Sequence, residues 1–298
     1  MTTHHPDHPM DPALLRHWWS NPPTGWLIEE FLATLAGQPA GHVECYIAAA
    51  EVDPERWGRF ESFLLPAAMS TERTGDLFAF AENRLSNAGA LAFETQIWEW
   101  DAPMQEALAA RGYRRDRVQK NWELDLVALR DEILARAEKS RARMRDQGIR
   151  CLTLAEDHDP DQLSKLHALM EAVRQDIPHT TPILPKQFED FERELEAPYI
   201  HLDRYWIARD GDHIVGHSFL CFPPEIGPAW TCFTGVAREY RGRGIAQALK
   251  LFGLAQAIDL GVDRVRTDND GENLPILHIN ETLGYRQVEG WMTYLKRD

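Results

Sequence analysis

One short pattern occurs twice in this chain of 298 residues, and it constrains the fold more than anything else in the sequence. Ala110-Arg111-Gly112-Tyr113-Arg114 is echoed by Thr282-Leu283-Gly284-Tyr285-Arg286. Each Gly-Tyr-Arg triplet follows a predicted short helix and precedes a predicted strand. An aromatic, Trp122 or Tyr294, lies at the same distance beyond each glycine. Glycine in that place is a helix stop, because it takes the left-handed turn at no steric cost. The shared helix–glycine–strand context indicates duplication of a larger unit. The chain is long enough for two domains with separate cores.

The remaining pattern agrees with two mixed halves. In the first, strands are predicted over 27–35 and 42–49, joined by the turn Gly37-Gln38-Pro39-Ala40-Gly41, and again over 60–65. A helix over 77–85, a strand over 91–100, a short helix between Pro103 and Gly112 and a strand over 117–126 follow. The charged stretch 129–147 has apolar positions Leu129, Ile133, Leu134 and Ala137 at helical spacing and reads as an interdomain helix. Its basic cluster, Lys139, Arg141, Arg143 and Arg145, reads as a solvated face, because acids are interleaved earlier in the helix.

In the second half we expect a strand over 149–154 and helices over 159–177 and 186–195. A hairpin of 205–208 and 214–222 turns at Asp210-Gly211, and a strand spans 230–236. A buried helix then runs to about Leu260, followed by a strand over 262–267, a helix over 274–283 and a final strand over 288–296. The expected boundaries are a tail and arm at 1–20, a first domain at 21–127, the connecting helix at 128–147 and a second domain at 148–298.

Composition excludes several classes. Acidic residues outnumber basic ones 47 to 32, for a formal charge of −15, which disfavours the phosphate backbone of nucleic acid as main partner. No apolar run approaches the ~20 residues needed to span a membrane, so we expect no membrane partner and a cytoplasmic protein. Cys45, Cys151, Cys221 and Cys232 are widely spaced without a Cys-x-x-Cys pair. That argues against a zinc site and gives no support for a disulfide framework, so the thiols are expected free and buried. His4, His5 and His8 lie in a polar start that reads as a frayed tail. Monomer and homodimer both remain open.

The chemistry is carried by Arg241-Gly242-Arg243-Gly244-Ile245-Ala246, which links a predicted strand to a long helix. Gly242 and Gly244 permit a tight turn and remove side chains that would block a ligand. The free amides of the first helical turn and the helix dipole make an anion site, with Arg241 and Arg243 beside it. The loop lacks the Gly-Lys-Ser/Thr of a Walker motif. It also lacks the third glycine of a dinucleotide fingerprint, since that position is Gln247.

This stretch resembles the GCN5-related N-acetyltransferase (GNAT) family, in which Arg/Gln-x-x-Gly-x-Gly/Ala binds the pyrophosphate of CoA. Arg241, Gly244 and Ala246 match that pattern. Asn273, the helix carrying Ile276-Leu277-His278-Ile279-Asn280-Glu281 and then Leu283-Gly284-Tyr285 follow in the family's order. The resemblance covers residues 148–298. It implies an α/β (α+β) fold of two GNAT-like domains, each a mixed, mostly antiparallel sheet flanked by helices, the N-terminal one degenerate. It implies acetyl-CoA as cosubstrate and an amine as acceptor.

The strand ending at Val236 should splay from the one ending at Thr267 and pair its backbone with the pantetheine arm. The amides of Gly242, Arg243, Gly244, Ile245 and Ala246 should hold the pyrophosphate, while Asn273 either touches the CoA arm or simply caps its helix. Family members often place a tyrosine acid at the position occupied here by Asn280. An amide there can hydrogen-bond the sulfur but cannot give up a proton. His278 reads as structural. The general base is unassigned among Glu239, His217, Asp176 and Asp268, with Thr231 and Thr234 able only to position a water.

In the first half, residues 72–77 stand where the anion loop would be, with Glu72 and Asp76 opposing a phosphate. We therefore expect no CoA there, and a packing role that shapes the acceptor cleft. The tandem layout resembles mycothiol-synthase-like acetyltransferases. The acceptor itself would be chosen by the proline-bearing loops 178–185 and 223–228. The functions to weigh are an N-acyltransferase acting on a small-molecule or peptide amine, a non-catalytic acyl-CoA-binding or sensing protein, and a scaffold that binds no CoA.

Overall fold

Eleven strands form one continuous sheet in the computed structural model, which describes residues 11–297. The N-terminal half supplies α1 (Pro12–Ser20), β1 (Trp26–Leu35), β2 (Gln38–Ala48), β3 (Trp57–Leu64), α2 (Thr71–Asn87), β4 (Ala92–Trp98), α3 (Ala102–Ala110) and β5 (Arg114–Asp125). The linking helix is α4 (Arg130–Asp146). The C-terminal half supplies β6 (Arg150–Thr153), α5 (Gln162–Arg174), α6 (Phe188–Leu195), β7 (Tyr205–Asp210), β8 (His213–Cys221), β9 (Ala229–Val236), α7 (Ile245–Asp259), β10 (Arg264–Asp270), α8 (Leu274–Leu283) and β11 (Arg286–Arg297).

The strand order β1-β2-β3-β4-β11-β5-β10-β9-β8-β7-β6 reveals how the halves join. The last strand of each half crosses over. β11 lies antiparallel to β4, with Tyr294 opposite Thr95, and β5 lies antiparallel to β10, with Trp122 opposite Thr267. The two crossed strands pair with each other at the centre. Their side chains follow them. Met292 and Tyr294 join the core under α2 and α3, whereas Trp122, Leu124 and Leu126 join the core around α7. Burying each of these large apolar groups contributes about 1.5–3 kcal/mol, so each half's core is completed by the other's last strand.

The echoed glycines punctuate this exchange. Gly112 (φ 84°) and Gly284 (φ 92°) both take the left-handed turn, one after α3 and one after α8, and release the chain into β5 and β11. In both halves one pair of neighbours is parallel: β3 with β4, and β9 with β10.

Several expected boundaries move. The helix predicted at 77–85 begins at Thr71, because the Ser70 hydroxyl accepts from the Arg73 amide and caps it early. Residues 72–77 are therefore the first turns of α2, not a loop. The tail expected to fray to residue 12 is helical from Pro12, capped by Asp11, whose carboxylate also takes the amides of Glu225 and Ile226. His4, His5 and His8 lie outside the described residues. The segment after Ser20 docks as an arm, Thr24 bonding Asp190, and Trp18 donates to the Tyr199 hydroxyl.

The cysteine expectation is also corrected. Cys221 and Cys232 form a disulfide across the β8–β9 hairpin, with Cα atoms 5.9 Å apart. Cys45 and Cys151 are free thiols. No sequence spacing signalled the bond; the hairpin fold creates it. No helix among the described residues is long and apolar enough to cross a membrane.

Candidate active site

The site begins where two parallel strands part. β9 and β10 pair only at Ala229–Val265 and Trp230–Arg266, then diverge. A cavity of about 800 Å³ occupies the gap between them and reaches the 241–246 loop. At its closed end the Thr267 hydroxyl donates to the Thr231 carbonyl, 3.3 Å away. On its other side β9 follows β8 with one register shift, and Cys232 is the extra residue in the sequence of partners.

The loop is built as its glycines dictate. Gly242 (φ 75°) and Gly244 (φ 85°) are both left-handed, and Gly244 is the N-cap of α7. The amides of Gly242, Arg243 and Gly244 donate to no acceptor among the described residues. Those of Ile245 and Ala246, at the first turn of α7, have no intrahelical partner either. Five N–H groups thus converge at the positive end of a fifteen-residue helix.

The two arginines of the motif are spent on architecture. Arg241 Nε donates to the Val236 carbonyl at 3.1 Å and its guanidinium pairs with Asp176. Arg243 Nε donates to Gln147 Oε1, and Gln147 returns a bond to the Arg243 carbonyl, each at 3.1 Å. The free cation comes from α4 instead. A Cβ on Gly244 would stand 2.7 Å from Arg143 Nη1, so that guanidinium lies directly over the cradle. It lines the cavity and makes no ion pair among the described residues. Both Arg143 and Arg141 are exposed, as a solvated face requires, and Arg141 also places its guanidinium 5.0 Å from the Phe252 ring centroid. No one-dimensional signal marks either contact, because both depend on where α4 packs on α7.

The candidate bases separate clearly. Glu239 is exposed, as expected, and does not line the cavity. His217 is fully buried, stacked on Phe233 and bonded through Nδ1 to the Tyr205 hydroxyl; burial pushes it down to about 3. Asp176 is held down to about 2 by its bonds to Arg238 and then Arg241, so it stays a carboxylate that binds arginine. Asp268 lines the cavity, accepts from Trp230 Nε1 at 3.1 Å, and is raised by burial. Thr231 and Thr234 both line the cavity, as does Lys250 on α7, which the sequence reading did not single out.

On α8, Asn273 is the N-cap by position but makes no side-chain capping bond, and it faces the cavity. His278 is exposed at the rim rather than structural. Asn280 is fully buried and donates from Nδ2 to Asn269 Oδ1 at 2.6 Å. It does not line the cavity, so the hydrogen-bond donor expected there points into the interior. Of the two acceptor loops, Pro178 reaches the cavity, whereas the 223–228 segment is held by Asp11 beside α1.

Residues 166–285 match the model of the acetyltransferase (GNAT) family. Over these residues the chain resembles a GNAT acetyltransferase domain. The match spans α5 to the echoed glycine, and with it the gap, the loop and α8. Across nearly its whole length the chain is similar to mycothiol acetyltransferase of Corynebacterium aurimucosum, 26% identical over 291 residues, covering 91% of this chain and 89% of that one.

Solved structures share the fold. A tandem GNAT protein from the clavulanic acid biosynthesis pathway superposes with a TM-score of 0.74 at 16% identity, covering 97% of this chain and 89% of that one. A GCN5-related N-acetyltransferase from Sphaerobacter thermophilus gives 0.67 at 18% identity, covering 90% and 80%. At these identities the structural likeness speaks for the fold alone. The matched segment therefore sits in a mixed α/β fold of two halves with flanking helices, as the sequence implied, except that the halves share one continuous sheet.

Proposed function

We propose that this protein transfers an acetyl group from acetyl-CoA to a primary amine of a small molecule or peptide, by direct attack in a ternary complex. One observation carries the reading: the gap between β9 and β10 opens onto a cradle of five unpaired amides. A pyrophosphate needs several N–H donors and positive charge in one place, and the cradle with Arg143 meets that need. A Cβ on Gly244 would press on the Arg143 guanidinium above it. On this reading Gly242, Arg243, Gly244, Ile245 and Ala246 hold the pyrophosphate through their backbones. Arg241 shapes the loop through Val236.

The pantetheine arm then runs down the gap along Val236, with Asn273 at its flank. From Val236 to Thr231 the strand covers about 17 Å, comparable to an extended pantetheine arm. The thioester would reach the closed end, where the extra residue Cys232 leaves a strand amide free for its carbonyl. Asp268 is the carboxylate suited to take the proton of the attacking amine. The N-terminal half, whose α2 start is capped by Ser70 and carries Glu72, packs and binds no CoA. We place the protein in the cytoplasm with its donor.

The test is incubation with acetyl-CoA and a panel of amines while free thiol is followed. The likeness to mycothiol acetyltransferase puts the acceptor of that enzyme in the panel. Turnover with an amine supports the proposal. Tight CoA binding without turnover favours a second reading, an acyl-CoA-binding or sensing protein, for which the inward-facing Asn280 speaks. No stabilisation by CoA would leave only a scaffold.

A further inference from the structure

Lys250 is an anomaly on α7. Ten of the eleven buried residues of that helix are apolar or glycine, and the eleventh is this lysine, 3% exposed. A leucine or methionine would fill the same space without the desolvation cost of an ammonium. Its ammonium lies 5.2 Å from the Tyr285 ring centroid and makes no hydrogen bond or ion pair among the described residues. It lines the gap at the closed end, with Thr231 of β9 and Thr267 and Asp268 of β10. Of these neighbours only Asp268 and Tyr285 titrate. Burial pushes Lys250 down to about 7, and Asp268 opposes that.

We propose that Lys250 is the acid that protonates the departing thiolate of CoA. The inference rests on the reading that acetyl-CoA fills the gap, which brings its sulfur to the closed end. The amine nitrogen bonds to the thioester carbonyl carbon, the C–S bond breaks, and its electron pair stays on sulfur. Lys250 Nζ gives that sulfur a proton and becomes neutral, the form its burial favours. The proton lost by the amine passes to Asp268 and from there back to Lys250, so both groups are restored. The lysine does from α7 what Asn280 cannot do from α8.

The probe is CoA itself, bound to the full-length protein, with its thiolate followed by ultraviolet absorbance against pH. The ammonium should stabilise the thiolate, so bound CoA should titrate at least one unit below free CoA, about a tenfold larger thiolate fraction at neutral pH. K250M should remove that displacement while CoA still raises the melting temperature. K250Q serves if K250M does not fold. K250R should keep the low thiol titration, because the charge remains, yet lose turnover of an active amine, because arginine gives up no proton. If CoA does not stabilise the wild-type protein, the acetyl-CoA reading itself falls. If CoA stabilises wild type and K250M alike and the thiol titrates identically in both, only the Lys250 assignment is overturned. An acetyl group found on Lys250 after incubation with acetyl-CoA would also overturn it, as the mark of a nucleophile.

Discussion

The Arg143 guanidinium and Gly244 face each other across the join between α4 and α7, with Nη1 2.7 Å from where a Cβ on Gly244 would stand. The positive φ strains any side chain at that position, and one placed there would also push the Arg143 guanidinium off the loop. G244L should therefore abolish stabilisation by CoA, which for wild type at 100 times Kd is about 2.7 kcal/mol. Differential scanning fluorimetry with and without CoA measures it. An undiminished shift in G244L would remove the loop from the CoA site.

Arg143 itself offers a milder test. It makes no ion pair in the protein, so R143Q should fold with unchanged stability. Losing one charge-assisted contact to phosphate should weaken CoA by about tenfold, or ~1.4 kcal/mol, and flatten the salt dependence of binding. Calorimetric titration at two ionic strengths reads both effects.

Asp176 and Asp268 should part company in kinetics. Asp176 is committed to Arg238 and Arg241, so D176N should alter CoA affinity through the loop and leave the chemical step intact. D268N should lower kcat by about 100-fold or more with an amine that wild type acetylates, the usual scale for loss of a general base. Equal kcat in wild type and D268N would return the base to a water relay.

Stability against pH should report Lys250. Its folded value, about 7, lies below that of an unfolded lysine, about 10.4. Between those values the unfolded chain holds a proton that the native protein has released, so stability rises with pH across the window. Below it the destabilisation is complete. K250M should lack that slope and be more stable than wild type at neutral pH and below, by on the order of 4 kcal/mol. Both proteins share the opposing contributions of Glu44 and Glu61, each raised to about 7 mainly by burial, so the difference isolates the lysine. Urea titrations from pH 6 to about pH 10 give the comparison.

The crossed strands predict that the halves do not fold alone. A fragment of residues 128–297 would lack β5, leaving the edge of β10 unpaired and the Trp122 and Leu124 sites in its core empty. It should aggregate or stay molten, and co-expression with residues 11–127 should restore a soluble complex. Circular dichroism and size-exclusion chromatography of the fragments decide this.

Local code accounts for much of what the sequence determined. Gly112, Gly242, Gly244 and Gly284 all take the left-handed turns their contexts required, because that conformation is a property of the residue and its immediate neighbours. Alternation and helical spacing marked nearly every element, and the order of strand, glycine loop, helix and Leu-Gly-Tyr was enough to indicate the family. Boundaries slipped where a cap acted one turn early, as Ser70 does for α2.

Tertiary structure alone decided the rest, because those features join residues that no local pattern links. The exchange of β5 and β11 depends on which sheet edge each strand finds, and either partner satisfies the same alternation. The Cys221–Cys232 bond follows from one hairpin's register. Arg143 comes to the anion cradle, Arg241 and Arg243 withdraw from it, and Lys250 is left alone at the end of the gap, all through the packing of α4, α7 and β10 against one another. A charge declares its type in the sequence; its partner, its burial and hence its chemistry are set by distance and desolvation in three dimensions.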